Sequence, residues 1–249
     1  MMMRTLFLLS ILLLSLKAQE INIAVAANVS YAIEALKSEF KEDHPDINVR
    51  VTLGSSGKLT AQIKNGAPYG LFMSANMRYP QALYDDNLTL TAPTRYAQGT
   101  LALFSIHDYN LTQGLHLLED EKIERVAIAN PKTAPYGIAA AQALKHQQLY
   151  ASLEHKFVYG ESISQTLAFA VTAADVGIIA KSALFCEKMK AYKEGKNWVS
   201  IDTALYTPID QGIVLLKYGE DEPAYQMFYD FILSDKAQKI FKAYGYIVK

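Results

Sequence analysis

Apolar residues recur along this chain with two periods, and the switches between them lay out its elements. Residues 21–26 alternate apolar and other side chains, the two-residue period of a strand. Residues 30–43 place Ile33, Leu36 and Phe40 on one helical face, and Pro45 stops the run. Val49, Val51 and Leu53 alternate again. Residues 58–64 carry Leu59 and Ile63 one turn apart, and Asn65-Gly66-Ala67-Pro68 reads as a turn. A short buried strand at 71–74 and a helix over 80–85, opened by Pro80, follow. The succession β-α-β-α-β is that of a parallel sheet covered by helices.

The second half repeats the alternation without repeating the sequence. Strands are predicted at 99–105, 125–129, 176–180 and 212–216. Helices are predicted at 138–149, 162–171, 181–192, 224–233 and 236–244. No internal repeat, low-complexity segment or linker separates the halves. Two α/β lobes sharing a chain that crosses between them more than once fit this layout better than two independent beads.

The first residues change the picture of where the protein works. Arg4 precedes an apolar run of eleven residues from Leu6 to Leu16, and Ala18 supplies a small residue at a cleavage point. That is the form of a secretory signal over residues 1–18, and the run is shorter than the ~20 residues a bilayer span takes. No cysteine follows it, so nothing supports a lipid anchor there. Cleavage near Ala18 removes Arg4 and Lys17 and makes the chain more acidic than its net charge of −1. An acidic balance argues against nucleic acid or an anionic membrane as partner. Cys186 is the single cysteine, so no intramolecular disulfide forms. An exported chain of this size without disulfides suits a bacterial periplasm.

The chain carries no familiar catalytic signature. Gly57-Lys58 suggests a phosphate loop, but Thr52 stands where its first glycine belongs and Leu59 where its hydroxyl belongs. Gly160-Glu161-Ser162-Ile163-Ser164 has isoleucine in place of the second glycine of a nucleophile elbow. His44, His107, His116, His146 and His155 are not spaced from one another or from a carboxylate as metal ligands are. Cys186 reads as packing on a helix, and Asp85-Asp86 and Glu119-Asp120-Glu121 as surface charge. No catalytic residue, direct metal ligand or cofactor is expected.

One local device recurs instead. A strand ends, a small or polar loop follows, and a helix begins, at Ala26-Ala27-Asn28-Val29-Ser30, Gly54-Ser55-Ser56-Gly57, Ala134-Pro135-Tyr136-Gly137 and Glu161-Ser162-Ile163. The first amides of a helix have no internal partner and carry its positive end. In parallel α/β sheets such loops lie at the carboxyl ends of strands, where ligands bind. Each loop alone is an ordinary β-α turn, and Ser56 alone an ordinary N-cap. Four converging together would seat an anion without any lysine or arginine.

At these loops the sequence resembles a known family. AVAANVS, LGSSGKLTAQIKNGAP, LFMSAN, YAQGTLALFS, NPKTAPYG, YTPIDQ and IFKAYGY, in this order, are similar to segments of the molybdate-binding proteins that serve ATP-driven importers. The resemblance runs from about residue 21 to the end. It implies an α/β fold of the two-lobed periplasmic-binding type (type II), each lobe a mixed, mostly parallel sheet flanked by helices. Residues 21–98 plus 207–249 would form the first lobe and 99–206 the second, with the ligand in the cleft between them. It implies a periplasmic monomer that binds molybdate and tungstate and hands them to the membrane permease of an ABC importer.

Carried over by motif, Asn28 would donate to the oxyanion through its side chain or amide, and Ser56 through Oγ–H and amide. Tyr136 and Ile163 would donate backbone N–H groups, with Ser55 and Ala27 adjacent as further amide donors. One departure stands out. Some members carry a tyrosine just after the strand at 176–179, and here Ala180 takes that position. The departure keeps one alternative open, a binding protein for sulfate, thiosulfate or an organic anion. An exported enzyme on the same fold is a further alternative and would need a titratable group in the cleft beside Ser56.

Overall fold

The structure, a computed structural model, describes residues 19–248; the expected signal segment and its cleavage point near Ala18 lie outside them. The first group of elements is β1 (Gln19–Ala26), α1 (Ile33–Asp43), β2 (Ile47–Gly54), α2 (Ser56–Lys64), β3 (Leu71–Met73), α3 (Arg78–Asp85) and β4 (Thr94–Gly99). The second is β5 (Leu101–Phe104), β6 (Val126–Ala129), α4 (Pro135–His146), α5 (Tyr150–Leu153), β7 (Phe157–Gly160), α6 (Ile163–Thr172), β8 (Val176–Ala180) and β9 (Trp198–Ser200). The chain then returns with β10 (Ile209–Leu215), α7 (Pro223–Leu233) and α8 (Asp235–Ala243).

Two five-stranded sheets result, in the orders β2-β1-β3-β10-β4 and β7-β6-β8-β5-β9. β1 pairs parallel with β2 and β3, and β10 runs antiparallel to β3 and β4. β6 pairs parallel with β7 and β8, and β5 runs antiparallel to β8 and β9. In each sheet one strand therefore opposes the other four. The inner strands are apolar on both faces because helices cover both sides. β6 is VAIA and β8 is VGIIA, buried throughout.

The period-3.6 stripe of α1 puts Ile33, Leu36 and Phe40 into the first core. There Phe40 meets Phe228 edge-on at 5.0 Å and tilts against Phe231 at 5.4 Å, both from α7. Burying a phenylalanine of this kind contributes roughly 1.5–3 kcal/mol.

Four expectations need correction. The single strand over 99–105 is two strands, β4 in the first sheet and β5 in the second, and the chain crosses between sheets at Thr100. β5 (LALF) is apolar and buried throughout, whereas β4 (TRYAQG) is mixed and only partly buried, so it shows no clear period of its own. β7 and β9 were not expected at all. Both are sheet edges of three or four residues, half exposed, and so lack a clear period. Residues 181–192 form two 3-10 turns, Lys181–Phe185 and Glu187–Met189, in place of one helix. Cys186 sits between these turns in extended backbone, half-buried against the core of the second sheet, so it packs there as expected but not on a helix. Finally, α2 and α4 begin two to three residues before the expected starts, at Ser56 and Pro135. That shift brings Ser56 and Tyr136 into first helical turns.

Candidate functional site

Five strand ends, three from the first sheet and two from the second, meet at one small cavity. Ala26, Ala27 and Asn28 reach it from the turn after β1, and Gly54, Ser55 and Ser56 from the junction of β2 and α2. Ala134, Pro135 and Tyr136 come from the start of α4, Ile163 from the start of α6, and Ala75 from the loop after β3. All six residues expected at the site, Asn28, Ser56, Tyr136, Ile163, Ser55 and Ala27, line it together. The space is tight. Only about 10 Å³ is open to the centre of a water-sized sphere, about the room one water needs.

Its wall is made of neutral donors. Ser56 is buried, and its Oγ accepts from the Ala75 amide at 2.9 Å, which leaves the hydroxyl proton free to donate. Ser55 is the N-cap of α2, yet its side chain caps nothing, and its buried Oγ has no partner. Pro135 opens α4, so Tyr136 presents one of the orphan amides of that first turn. Ile163 is the first residue of α6, and the Oγ of its N-cap Ser162 accepts from Gln165 N–H, leaving the Ile163 amide uncapped. No lysine, arginine, histidine, aspartate or glutamate lines the cavity. Among the described residues no three His, Cys, Asp or Glu side chains cluster to hold a cation. Such a wall suits a compact ligand that only accepts hydrogen bonds.

Beneath it lies a buried polar floor that sequence reasoning did not assign. Asn28 Nδ2 donates to Gln211 Oε1 at 2.8 Å and to Tyr246 Oη at 3.0 Å. Tyr96 O–H donates to Gln211 Oε1 at 2.7 Å, and Gln211 Nε2 donates to Tyr136 Oη at 3.1 Å. Tyr246 O–H in turn donates to the Asn28 carbonyl at 2.8 Å. Burial pushes the Tyr246 hydroxyl up to about 12 and those of Tyr96 and Tyr136 well above their ordinary value, so all three stay neutral. Gln211 and Tyr246 belong to the segments YTPIDQ and IFKAYGY; their signal was a polar side chain placed in an apolar strand and a tyrosine in an apolar tail.

The rim is different. Gly57 N–H donates across to the Thr133 carbonyl at 3.0 Å, joining the start of α2 to the loop before α4. A Cβ on Gly57 would lie 3.0 Å from that oxygen and 2.8 Å from Tyr79 Oη, so only glycine permits this approach without a shift. Beside it Lys58 Nζ pairs with a Glu161 carboxylate oxygen, two side chains from opposite sides of the cleft with 47% and 68% of their surface exposed. Ala180, the residue at the departing position, is buried at the end of β8 and does not line the cavity.

An α/β fold in two sheets, with a small neutral cavity between helix starts from both, defines a two-lobed solute-binding protein of the periplasmic type. The chain belongs to the bacterial extracellular solute-binding protein family, whose model matches residues 21–247. It is 35% identical over 237 residues to the molybdate-binding protein ModA of Azotobacter vinelandii, covering 92% of this chain and 90% of that one. It is 34% identical to the ModA of Rhodobacter capsulatus, covering 93% and 90%. A solved structure of the Azotobacter vinelandii periplasmic molybdate-binding protein superimposes with a TM-score of 0.85 at 30% identity, over 92% of this chain and 99% of that one.

Proposed function

We propose that this protein captures molybdate, and tungstate as well, in the periplasm and delivers it to the permease of an ATP-driven importer. The observation that carries the reading is the cavity wall. Asn28, Ser55, Ser56, Tyr136 and Ile163 line one small cavity with hydroxyl-bearing side chains and residues of first helical turns, with no charged side chain among them. A dehydrated tetrahedral dianion brings acceptors on every side and no proton. Each hydrogen bond to it contributes about 1.5–3 kcal/mol net. Six or seven such bonds, less the cost of dehydration and closure, reach submicromolar binding, about −8 kcal/mol or better. A protonated oxyanion would press its own O–H against a donor and lose one of these bonds. Discrimination against a smaller dianion such as sulfate falls to the size of the closed cavity.

The two lobes in this reading are residues 21–98 plus 207–249 and residues 99–206, hinged where the chain crosses between the sheets. The exported form begins after cleavage near Ala18 and works as a monomer. Titration calorimetry of the ligand-stripped mature protein with molybdate, tungstate and sulfate tests the assignment. Tight one-to-one binding of the first two, with sulfate far weaker, is expected. Heat from sulfate alone, or from none of the three, contradicts it.

A further inference from the structure

We propose that Gln211 is a positioning residue that sets which end of the Asn28 side-chain amide the anion meets; the inference rests on the oxyanion reading of the cavity. Asn28 is fully buried and lines the cavity. Both hydrogens of its Nδ2 are committed, to Gln211 Oε1 and Tyr246 Oη. Its Oδ1 has no partner. As arranged, the free end of this amide is an acceptor, which repels an oxyanion.

The same heavy atoms support a second arrangement, because an amide turned by half a revolution exchanges O and N at almost the same positions. If Gln211 turns, its Nε2 donates to Asn28 at 2.8 Å and to Tyr96 Oη at 2.7 Å. Tyr96 O–H then donates to the Ser74 carbonyl, already 3.3 Å away. Gln211 Oε1 accepts from Tyr136 O–H across the 3.1 Å contact. Asn28 turns with it, so that Oδ1 accepts from Gln211. Tyr246 O–H moves from the Asn28 carbonyl, 2.8 Å away, to Oδ1 at 3.0 Å. Ser182 Oγ, 3.5 Å from that carbonyl, covers the oxygen Tyr246 leaves. Every group keeps a partner, and Nδ2 is released to donate to the anion.

The two arrangements differ in polarity and hardly in shape, so the choice between them is made by what fills the cavity. Gln211 hydrogen-bonds both Asn28, on the side of the first sheet, and the Tyr136 hydroxyl of α4. Its place is made by Gly99, where a Cβ would lie 2.0 Å from Tyr136 Oη and 2.7 Å from Gln211 Nε2. Turning the amide therefore links the donor offered to the ligand with the contact between the two sides of the cleft.

The test is a titration of the full mature chain with sodium molybdate, followed by calorimetry and by the side-chain amide signals of Asn28 and Gln211 in 15N-edited NMR. In the wild type both pairs of signals should shift together as the site fills. Gln211→Met removes both polar ends at similar length, and Tyr136→Phe removes one hydroxyl while keeping the backbone N–H. Each should weaken binding about tenfold or more, the loss of one charge-assisted bond. In Gln211→Met the Asn28 signal should no longer follow the anion. Should Gln211→Met fail to fold, Tyr136→Phe and the wild-type signals decide alone. A wild type that binds molybdate while its Asn28 and Gln211 signals stay fixed, or variants that bind as tightly as it does, overturn this inference alone. A wild type that binds no oxyanion overturns both this and the assignment of the site.

Discussion

The cavity is held from two sides by contacts of opposite character. On its floor Asn28, Gln211, Tyr96, Tyr136 and Tyr246 exchange hydrogen bonds out of reach of water. On its rim Lys58 and Glu161 meet across the cleft with about half or more of each side chain in solvent. The formal charges are at the rim, whereas the proposed function puts the binding power at the floor and wall. Water and salt screen the rim pair, so it is worth at most about 1 kcal/mol. A neutral buried donor is unscreened, and a bond it fails to make costs its full desolvation. An anion site can thus be built without a cation, provided its donors are dry and fixed in place.

Substitutions can break this contrast in order of expected effect. Ser56→Ala removes a buried wall hydroxyl and should raise the molybdate Kd about 10- to 150-fold, read by calorimetry; because it also leaves the Ala75 N–H without its acceptor, the unliganded Tm should fall by about a few degrees. Gly57→Ala places a methyl against the Thr133 backbone and should cost about 5- to 100-fold, chiefly through faster dissociation in stopped-flow, because the clash arises on closure. Lys58→Met or Glu161→Gln should change affinity no more than about fivefold, and the change should vanish in ~1 M salt. A rim variant that matched Ser56→Ala would show that charge, not the dry wall, holds the ligand.

The smallest effect expected is that of pH on binding. No cavity-lining group titrates near neutrality, so the Kd should be flat from about pH 6 to 9. Stability is another matter. Tyr246 has its folded value raised from an ordinary 10.0 to about 12, so its contribution is fully present below pH ~10 and is lost as pH rises through about 12. Chemical denaturation at pH 9 and 11.5 should show a loss of roughly a few kcal/mol, shared with Tyr96 and Tyr136, which are raised in the same direction.

Much of this was legible in the sequence because the informative features are local. The Gly-Ser-Ser-Gly and Ala-Pro-Tyr-Gly turns name helix starts whatever the rest of the chain does, and α1, α7 and α8 announce themselves by their apolar stripes. What stayed hidden is set by long-range partners. The division of residues 94–104 between two sheets depends on β10 and β8, more than seventy residues away. The floor depends on Gln211 and Tyr246 meeting Asn28 from the far end of the chain. Each stands out in its segment, a polar side chain in an apolar strand and a tyrosine in an apolar tail, but its partners are brought to it only by the fold.

Tungsten marks directly where the oxyanion sits. A crystal of the mature protein grown with tungstate should give one anomalous peak per molecule, inside the cavity between Ser56 Oγ and the Tyr136 and Ile163 amides, with no lysine or arginine nitrogen in contact. A principal peak at Lys58 or elsewhere on the surface, with the cavity empty, would contradict the claim that neutral donors from four helix starts hold the ligand.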